Sequence, residues 1–463
     1  MYARKEYEEE ESDLPKKLSD KNKLVIFLIF LIAFFIILTI VYYSKESVNE
    51  KLVVSKNVRN IQTINELNIG VYSEETIDTI NPITNDNEIV RNISELIYDK
   101  LFELKDNTYM ANSKIIENYA KIDDKNYVFK LKENIFFQNG EKLTSRNIKE
   151  TVETIFSNEN SYYFECVDNI QSVKVIDNNM FRVNLIEADN DFCKKLIFPI
   201  ILGEQNVGTN NYSVKEIANN CVCLENKGNG QVININIYSD IETMYRDFKQ
   251  KKIDVIKPQK TVDYKRYIGE FGYIDKSYKG NDYICLEFNK KVYSTDSNLK
   301  QAILYAINSE EIIKKIFKGE AYDVKSVRYD LDKSIDILEK EFVYKNGGWY
   351  NGDWVFSVKL AINDSMKNNI DVIYDIKEQL EKVGIYTELI LPSDEGYSNK
   401  IALEEYDVLV NMVDITKCEE LEFGEKLICN KLHMLYSPNV TGVINPNVVN
   451  VFNDISSWKK IVR

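Results

Sequence analysis

Phe137-Gln138-Asn139-Gly140-Glu141-Lys142-Leu143-Thr144-Ser145 is the most informative run in the chain. Asn139-Gly140 is a turn pair, since Asn and above all Gly accept the positive φ that a tight reversal needs. With Lys125 to Lys130 and Phe136-Phe137 before it, the pair predicts a hairpin. Thr144 then stands where a helix N-cap belongs, opening the predicted helix Thr144 to Phe156, TSRNIKETVETIF. A turn and a cap so close together mark the step from strand to helix in a mixed α/β chain.

The same alternation of signals extends in both directions. Upstream, Leu67 to Tyr72 alternates as a strand, and Ile89 to Leu104 carries apolar residues at helical spacing. Downstream, Val173 to Ile176 and Met180 to Leu185 flank Asp177-Asn178-Asn179 as a second hairpin. Strands are expected over Asn211 to Glu225, Val232 to Tyr238, Ile253 to Ile256 and Asp282 to Asn289, with an amphipathic helix from Asp240 to Lys251. A long helix from Asn298 to Phe317 should close at Gly319, and another should run from Asp330 to Phe342. The strand Val355 to Ile362, the helix Asn369 to Val383 closed by Gly384, and the strands Tyr386 to Leu391 and Glu405 to Val410 form a βαβ-like unit with a largely parallel sheet. The tail from Val440 to Ile461 reads as short strands.

Leu24 to Tyr43, LVIFLIFLIAFFIILTIVYY, has no charge, Pro or Gly. At ~1.5 Å per residue its twenty positions span a ~30 Å hydrocarbon layer once. No small-residue cleavage site follows, so the run is expected to remain as a signal anchor rather than be removed. Arg4, Lys5, Lys16, Lys17, Lys21 and Lys23 precede it, which favours a cytoplasmic N-terminus. The expected layout is a cytoplasmic tail over 1–23, a transmembrane helix over 24–43, a stalk over 44–66 and a folded part outside the cytoplasm.

The remaining length suffices for two or three domains. A net charge of −14, dispersed along the chain, excludes a nucleic-acid surface. Thirty tyrosines suit strands and ligand clefts alike. The seven cysteines match no zinc spacing; Cys221-Val222-Cys223 places two thiols on one face of a strand, and a disulfide is open at Cys166–Cys193 or Cys418–Cys429. The chain has one histidine, His433, in a Leu- and Met-rich stretch where it reads as a packed or surface residue. No nucleophile elbow, phosphate-binding loop, dinucleotide fingerprint or zinc-protease motif occurs, so the expectation is a protein with no catalytic residues, no metal and no cofactor.

Taken in order, several stretches resemble family 5 extracellular solute-binding proteins, the oligopeptide- and dipeptide-binding components of ABC importers. Thr79-Ile80-Asn81-Pro82 and Ile97-Tyr98-Asp99-Lys100-Leu101 resemble the family's L-D/N-P and I-Y-E-G-L. Tyr127 to Lys132 with Phe137 to Ser145 resembles Y-x-F-x-L-R … F-H-D-G-x-P-L-T-A, the most specific match. Gly208 to Tyr212 resembles G-T-G-P-Y, and Lys251 to Asp254 resembles G-E-I-D. Leu299 to Asn308 with Gly319-Glu320-Ala321, and Gln379 to Ile385, resemble two later motifs, V-R-Q-A-I-x-Y-A-I-D … G-x-A and Q-L-x-K-I-G-I.

The resemblance implies a two-lobed clamshell of the periplasmic-binding-protein type, type II with an extra subdomain, behind the N-terminal membrane helix. Lobe I would take 67–282 completed by 437–463, and lobe II 283–436, with crossover strands near Tyr283 and Leu435. It implies a peptide or other small solute held between the lobes and passed to an ABC permease. Candidate ligand-binding residues are Tyr72 and Ser73 at the first strand's end, Tyr283 and Cys285 on the crossover strand, and Asn411 and Asp414 after the lobe II strand. Asp414 loosely matches the family's amine-binding Asp. The chain departs from the family where Asn210 and Asn211 replace Gly and Pro, where no Pro-rich segment follows Gly319, where a Trp is missing near Asn411, and where the second lobe is shortened after Cys418. Those departures motivate an alternative, a degenerate binding-protein fold kept as a signalling or interaction module.

Overall fold

Two long antiparallel strands, Ile274–Phe288 and Gly424–Tyr436, run through the centre of the fold and pair from Ile274↔Tyr436 to Glu287↔Gly424. The computed structural model describes residues 62–462 apart from 106–107, 260–263, 270, 294–297 and 415–423. The predicted anchor, Leu24 to Tyr43, lies outside the described residues; among those described, no helix is long and apolar enough to cross a membrane. Thr63–Ile461 form one compact unit, and the following concerns that unit.

The long pair sits in the middle of an eleven-stranded sheet. On one side lie Val408–Asp414, Ser357–Ile362 and Tyr386–Ile390; on the other lie Val255–Ile256, Glu66–Tyr72, Val232–Tyr238, Cys221–Asn226 and Tyr212–Ala218. Ala321–Asp323 pairs separately with Gly424–Tyr436. The expected parallel unit is present, with Ser357–Ile362 parallel to both Tyr386–Ile390 and Val408–Asp414.

The long strands serve two hydrophobic cores at once. Tyr278, Leu432 and Met434 pack into a first core with Leu67, Ile69, Ile93, Phe198 and Trp458. Ile284, Leu286, Leu427 and Ile428 pack into a second with Ala302, Leu360, Ile376 and Leu380. Between these stretches the pairing is irregular from Lys279 to Tyr283. Gly280 makes room there for the Asn430 side chain, whose Oδ1 a Cβ would meet at 2.0 Å. The Asn430 carboxamide fills the irregularity, accepting from the Asp282 N–H at 3.1 Å and donating to its carboxylate at 3.0 Å. A four-stranded antiparallel sheet joins the first core, in the order Ile116–Asp123, Asn126–Leu131, Met180–Leu185 and Ile170–Val175. Its inward face is aromatic, with Phe129 and Phe181 stacked at 5.1 Å.

Several local expectations change. The helix expected from Ile89 to Leu104 spans Glu88–Ile97, and Tyr98 is already extended. The stretch expected as one strand from Asn211 to Glu225 is a hairpin, turned at Asn219-Asn220 with φ of 52° and 57°. The helix expected from Asn298 to Phe317 breaks into Asn298–Ala306 and Ser309–Lys315, where Asn308 caps the second piece by accepting from the Glu311 N–H. Asn139-Gly140 does turn the chain, with Gly140 at φ 91°, but it closes only a bridge between Phe136 and Lys142. Asn126–Leu131 instead pairs with Ile116–Asp123 and Met180–Leu185. No disulfide joins Cys166 to Cys193, and Cys193, Cys221, Cys223, Cys285 and Cys429 are free thiols; Cys418 lies outside the described residues.

His433 staples this frame. Its Nδ1 lies 2.8 Å from Asp275 Oδ1 on the facing long strand, and its Nε2 lies 2.8 Å from Glu320 Oε2 beside Ala321–Asp323. Tyr264 donates its hydroxyl to Asp275, and Lys265 approaches Glu320 at 3.8 Å. Burial disfavours the charged ring, but the two carboxylates outweigh it and hold the pKa of His433 above its ordinary value. Burial likewise raises Asp275, yet hydrogen bonds from His433 and Tyr264 leave its pKa below the ordinary range. The raised His433 contributes stability that is complete below its unfolded pKa and lost as pH rises through its folded one. The lowered Asp275 contributes stability present above its unfolded pKa and lost as pH falls through its folded one. Thermal melts across pH should therefore show a maximum in the acidic range and a decline through neutrality. His433→Gln should flatten the decline; an unchanged decline would dismiss the staple.

Candidate binding cleft

The cleft is built around one carboxamide. Gln138 donates from Nε2 to the carbonyls of Ile97 at 3.2 Å, Asn210 at 2.9 Å and Tyr212 at 2.6 Å. Its Oε1 accepts from the Gly208 N–H at 3.2 Å, and its own N–H donates to the Gly208 carbonyl at 2.9 Å. The stretch from Phe137 to Ser145, the end of the helix Glu88–Ile97 and the Gly208–Tyr212 loop are thereby tied at one point. Gly208 allows the contact, since a Cβ there would fall 1.9 Å from the Ile97 carbonyl oxygen. Thr144 secures the other end of the stretch, with its N–H donated to the Asn147 side chain at 2.9 Å.

Beside this knot lies a cavity of about 740 Å³. Helix Glu88–Ile97 presents Glu88, Arg91, Asn92 and Glu95 to it, and Tyr98, Tyr162, Tyr163, Asn211 and Tyr212 continue the wall. Residues 447–456 close another side, and Asn281, Leu432 and Asp414 bring the central strands into it. The helix starts at Asn87, whose side chain accepts from the Ile89 N–H at 2.9 Å. The Arg91 guanidinium lies 4.0 Å over the Tyr162 ring and 2.7 Å from Asp86. Glu95 pairs with Lys100, Glu88 with Lys257, and Lys114 with Glu103 at 2.9 Å and Asp99 at 3.5 Å. Burial pushes the Glu95 carboxyl up despite Lys100. Burial also raises the phenols of Tyr98 and Tyr163, so both remain protonated. The Tyr98 hydroxyl is buried without a hydrogen-bond partner among the described residues.

Of the six residues singled out from sequence, only Asp414 lines this cavity. Asp414 and Asn411 do not follow a strand; they belong to Val408–Asp414, with Asp414 opposite Asp282 and Asn411 opposite Cys285. The Asn281 carboxamide donates to Asp414 at 2.8 Å. Asn411 donates to Glu287 at 2.7 Å and accepts from the Ser365 hydroxyl at 3.0 Å. Tyr283 and Cys285 are buried together with Val413 and Cys429, and burial pushes the Cys285 thiol up to about 12. Tyr72 ends its strand and lines a hollow of about 320 Å³ that shares Glu88, Asn92, Lys257 and Phe452 with the main cavity. Ser73, next to it, accepts from Asn87 at 3.2 Å and donates to the Glu75 carbonyl at 2.9 Å.

Sequence reasoning missed Arg91, Glu95, Lys257 and the 447–456 segment. Glu88, Arg91, Asn92 and Glu95 recur at helical spacing, which also describes the polar stripe of any solvated helix. Only the tertiary fold turns that stripe toward a cavity.

With the geometry in hand, the resemblance noted in sequence is settled. The model of bacterial extracellular solute-binding proteins, family 5, matches residues 113–222 and 225–414, and the chain belongs to that family. Its structure is similar to that of a nickel ABC transporter from Bacillus halodurans, with TM-score 0.65, 12% identity, and coverage of 85% of this chain and 99% of that one. It is also similar to an ABC transporter substrate-binding protein from Sinorhizobium meliloti, with TM-score 0.62, 13% identity, and coverage of 86% and 100%. The oligopeptide-binding protein AppA from Bacillus subtilis, in complex with a nonapeptide, matches with TM-score 0.50, 14% identity, and coverage of 87% and 100%. At these identities the likeness shows the α/β periplasmic-binding-protein-like fold alone. A comparison with curated proteins finds no match.

The knot yields a direct test. Gln138→Leu keeps the volume but removes the side-chain donor from the Asn210 and Tyr212 carbonyls and leaves the Ile97 carbonyl only the Asn210 N–H, and should cost on the order of 3 kcal/mol in denaturant unfolding of the full chain. Gly208→Ala should cost more, because backbone must move. A loss under about 1 kcal/mol for both would mean that the convergence is incidental.

Proposed function

We propose that this chain is a membrane-tethered extracytoplasmic solute-binding protein, which closes two lobes around a peptide and delivers it to an ABC permease. The observation that carries the reading is the cavity of about 740 Å³ where Asp414 and Asn281 from the central strands face the wall built by helix Glu88–Ile97. A cavity of several hundred cubic ångströms suits a short peptide or a solute of similar size. Family membership supports solute binding. The lobes would be 67–282 with 437–463, and 283–436, pivoting where the long strands pass from one core to the other; residues 24–43 would supply the tether. Asp414 would take the ligand's α-ammonium, since a buried ion needs a compensating charge. Tyr72 and Ser73 would border the adjoining hollow, while Tyr283, Cys285 and Asn411 would back the Asp414 strand rather than touch ligand.

Calorimetry of the full chain in nanodiscs against short peptides should show saturable heat and a thermal shift. Silence with every peptide would sink the transport reading and leave the interaction-module alternative. Asp414→Asn should weaken a free-amine peptide more than tenfold, or ~1.4 kcal/mol, while an N-acetylated peptide should bind both forms alike. Equal binding of the free-amine peptide would remove Asp414 from the site.

A further inference from the structure

Cys221-Val222-Cys223 has no part in the cleft. It opens the strand Cys221–Asn226, which is held on both sides: Cys221 stands opposite Asn236 and Ala218, and Cys223 opposite Asn234 and Glu216. Val222 and Leu224, which alternate with the two cysteines, are fully buried in the first core. Cys221 and Cys223 therefore share the other face of the sheet, where both are half-buried free thiols. Free Cys ordinarily serves as a small buried hydrophobe, and the core here makes no such use of the pair. Their surroundings on that face are polar. Asn234 donates to Glu66 at 2.9 Å and to Asn68 at 3.1 Å, and Lys215 lies 3.4 Å from Glu225. None of these residues lines the cavity beside the Gln138 knot.

The spacing of the two thiols decides their chemistry. Side chains two residues apart on a strand leave it side by side, ~6.6 Å apart. A disulfide needs ~3.5–4.5 Å between Cβ atoms, so the pair is too wide to close on itself. One bridging ion fits the gap. Two thiolate–metal bonds of ~2.3 Å in line set the sulfurs ~4.6 Å apart, which the two Sγ atoms reach by leaning toward each other. The ladders on both sides fix the backbone, so the spacing is set before any ion arrives. Among the described residues no group of three His, Cys, Asp or Glu side chains is placed to hold a metal; a linear ion asks for two donors only. Thiolates select soft ions such as Cu(I) over hard ones. Burial raises the pKa of both thiols, and the neighbouring Cys223 raises Cys221 further, so each enters the site carrying its proton.

We propose that Cys221 and Cys223 form a two-coordinate site for a soft monovalent cation of the Cu(I) class, bound between their two Sγ atoms. Each thiol gives its proton to solvent as its sulfur–metal bond forms, and no electron is transferred. The site is separate from the cleft, so its test is independent of solute binding.

The experiment titrates the reduced full chain, in nanodiscs and without oxygen, with Cu(I) held by the competing chelator bicinchoninate. The chain should withdraw Cu(I) from the chelator and release two protons for the ion held at this pair. Cys221→Ser and Cys223→Ser should each weaken that binding by about a hundredfold or more. Parent-like binding by either variant overturns the proposal, as does a failure of the parent to withdraw Cu(I). A second measurement needs no variant. Saturating Cu(I) should shield both thiols of the parent from iodoacetamide, read peptide by peptide in a mass spectrometer. Alkylation of either cysteine at its metal-free rate would overturn the two-sulfur site.

Discussion

One strand pair has to satisfy two cores, and the rest of the fold is arranged around that constraint. Ile274–Phe288 and Gly424–Tyr436 offer Tyr278, Leu432 and Met434 to one apolar cluster and Ile284, Leu286, Leu427 and Ile428 to the other. A strand presents its side chains alternately to two faces, so a regular ladder would hold both clusters in fixed register. The irregularity from Lys279 to Tyr283 relaxes that register where the chain leaves one core for the next. Asn430 compensates the groups released there, and Gly280 makes room for it.

The Gln138 knot does similar work at shorter range. It joins segments far apart in sequence, which explains why the runs around Gly208, Tyr98 and Asn139-Gly140 read as motifs. They are legible because backbone geometry demands particular residue types: Gly208 for a close approach, Gly140 for a positive φ, Thr144 and Asn147 for a helix start. Such demands are local, and local chemistry is what a sequence displays most plainly. The parallel unit from Ser357 to Asp414 was legible for the same reason, through apolar periodicity closed by Gly384 at φ 83°.

What stayed hidden depends on partners distant in the chain. Nothing in the spacing of Arg91 or Glu95 distinguishes a side chain facing water from one facing a cavity, and Tyr162 lies far from Arg91 in sequence. The break at Asn308 was masked by the continuous helical pattern around it, although Asn followed by Ser-Glu-Glu is capping chemistry. Asn219-Asn220 is hard to read as a turn, because the flanking residues keep alternating across it. Among the singled-out residues, Asp414 at its strand's end lines the cavity and Tyr72 at its strand's end lines the adjoining hollow, whereas Cys285 and Tyr283 pack into a buried cluster with Val413 and Cys429.

The irregularity beside Gly280 also has a mechanical meaning. Six residues separate Gly280 from the strand end at Ile274, a lever of ~20 Å at ~3.3 Å per residue, so a bend of about ten degrees moves that end by roughly 3.5 Å. The Asn430 side chain sits beside that point, and a bend there would lengthen its two hydrogen bonds to Asp282.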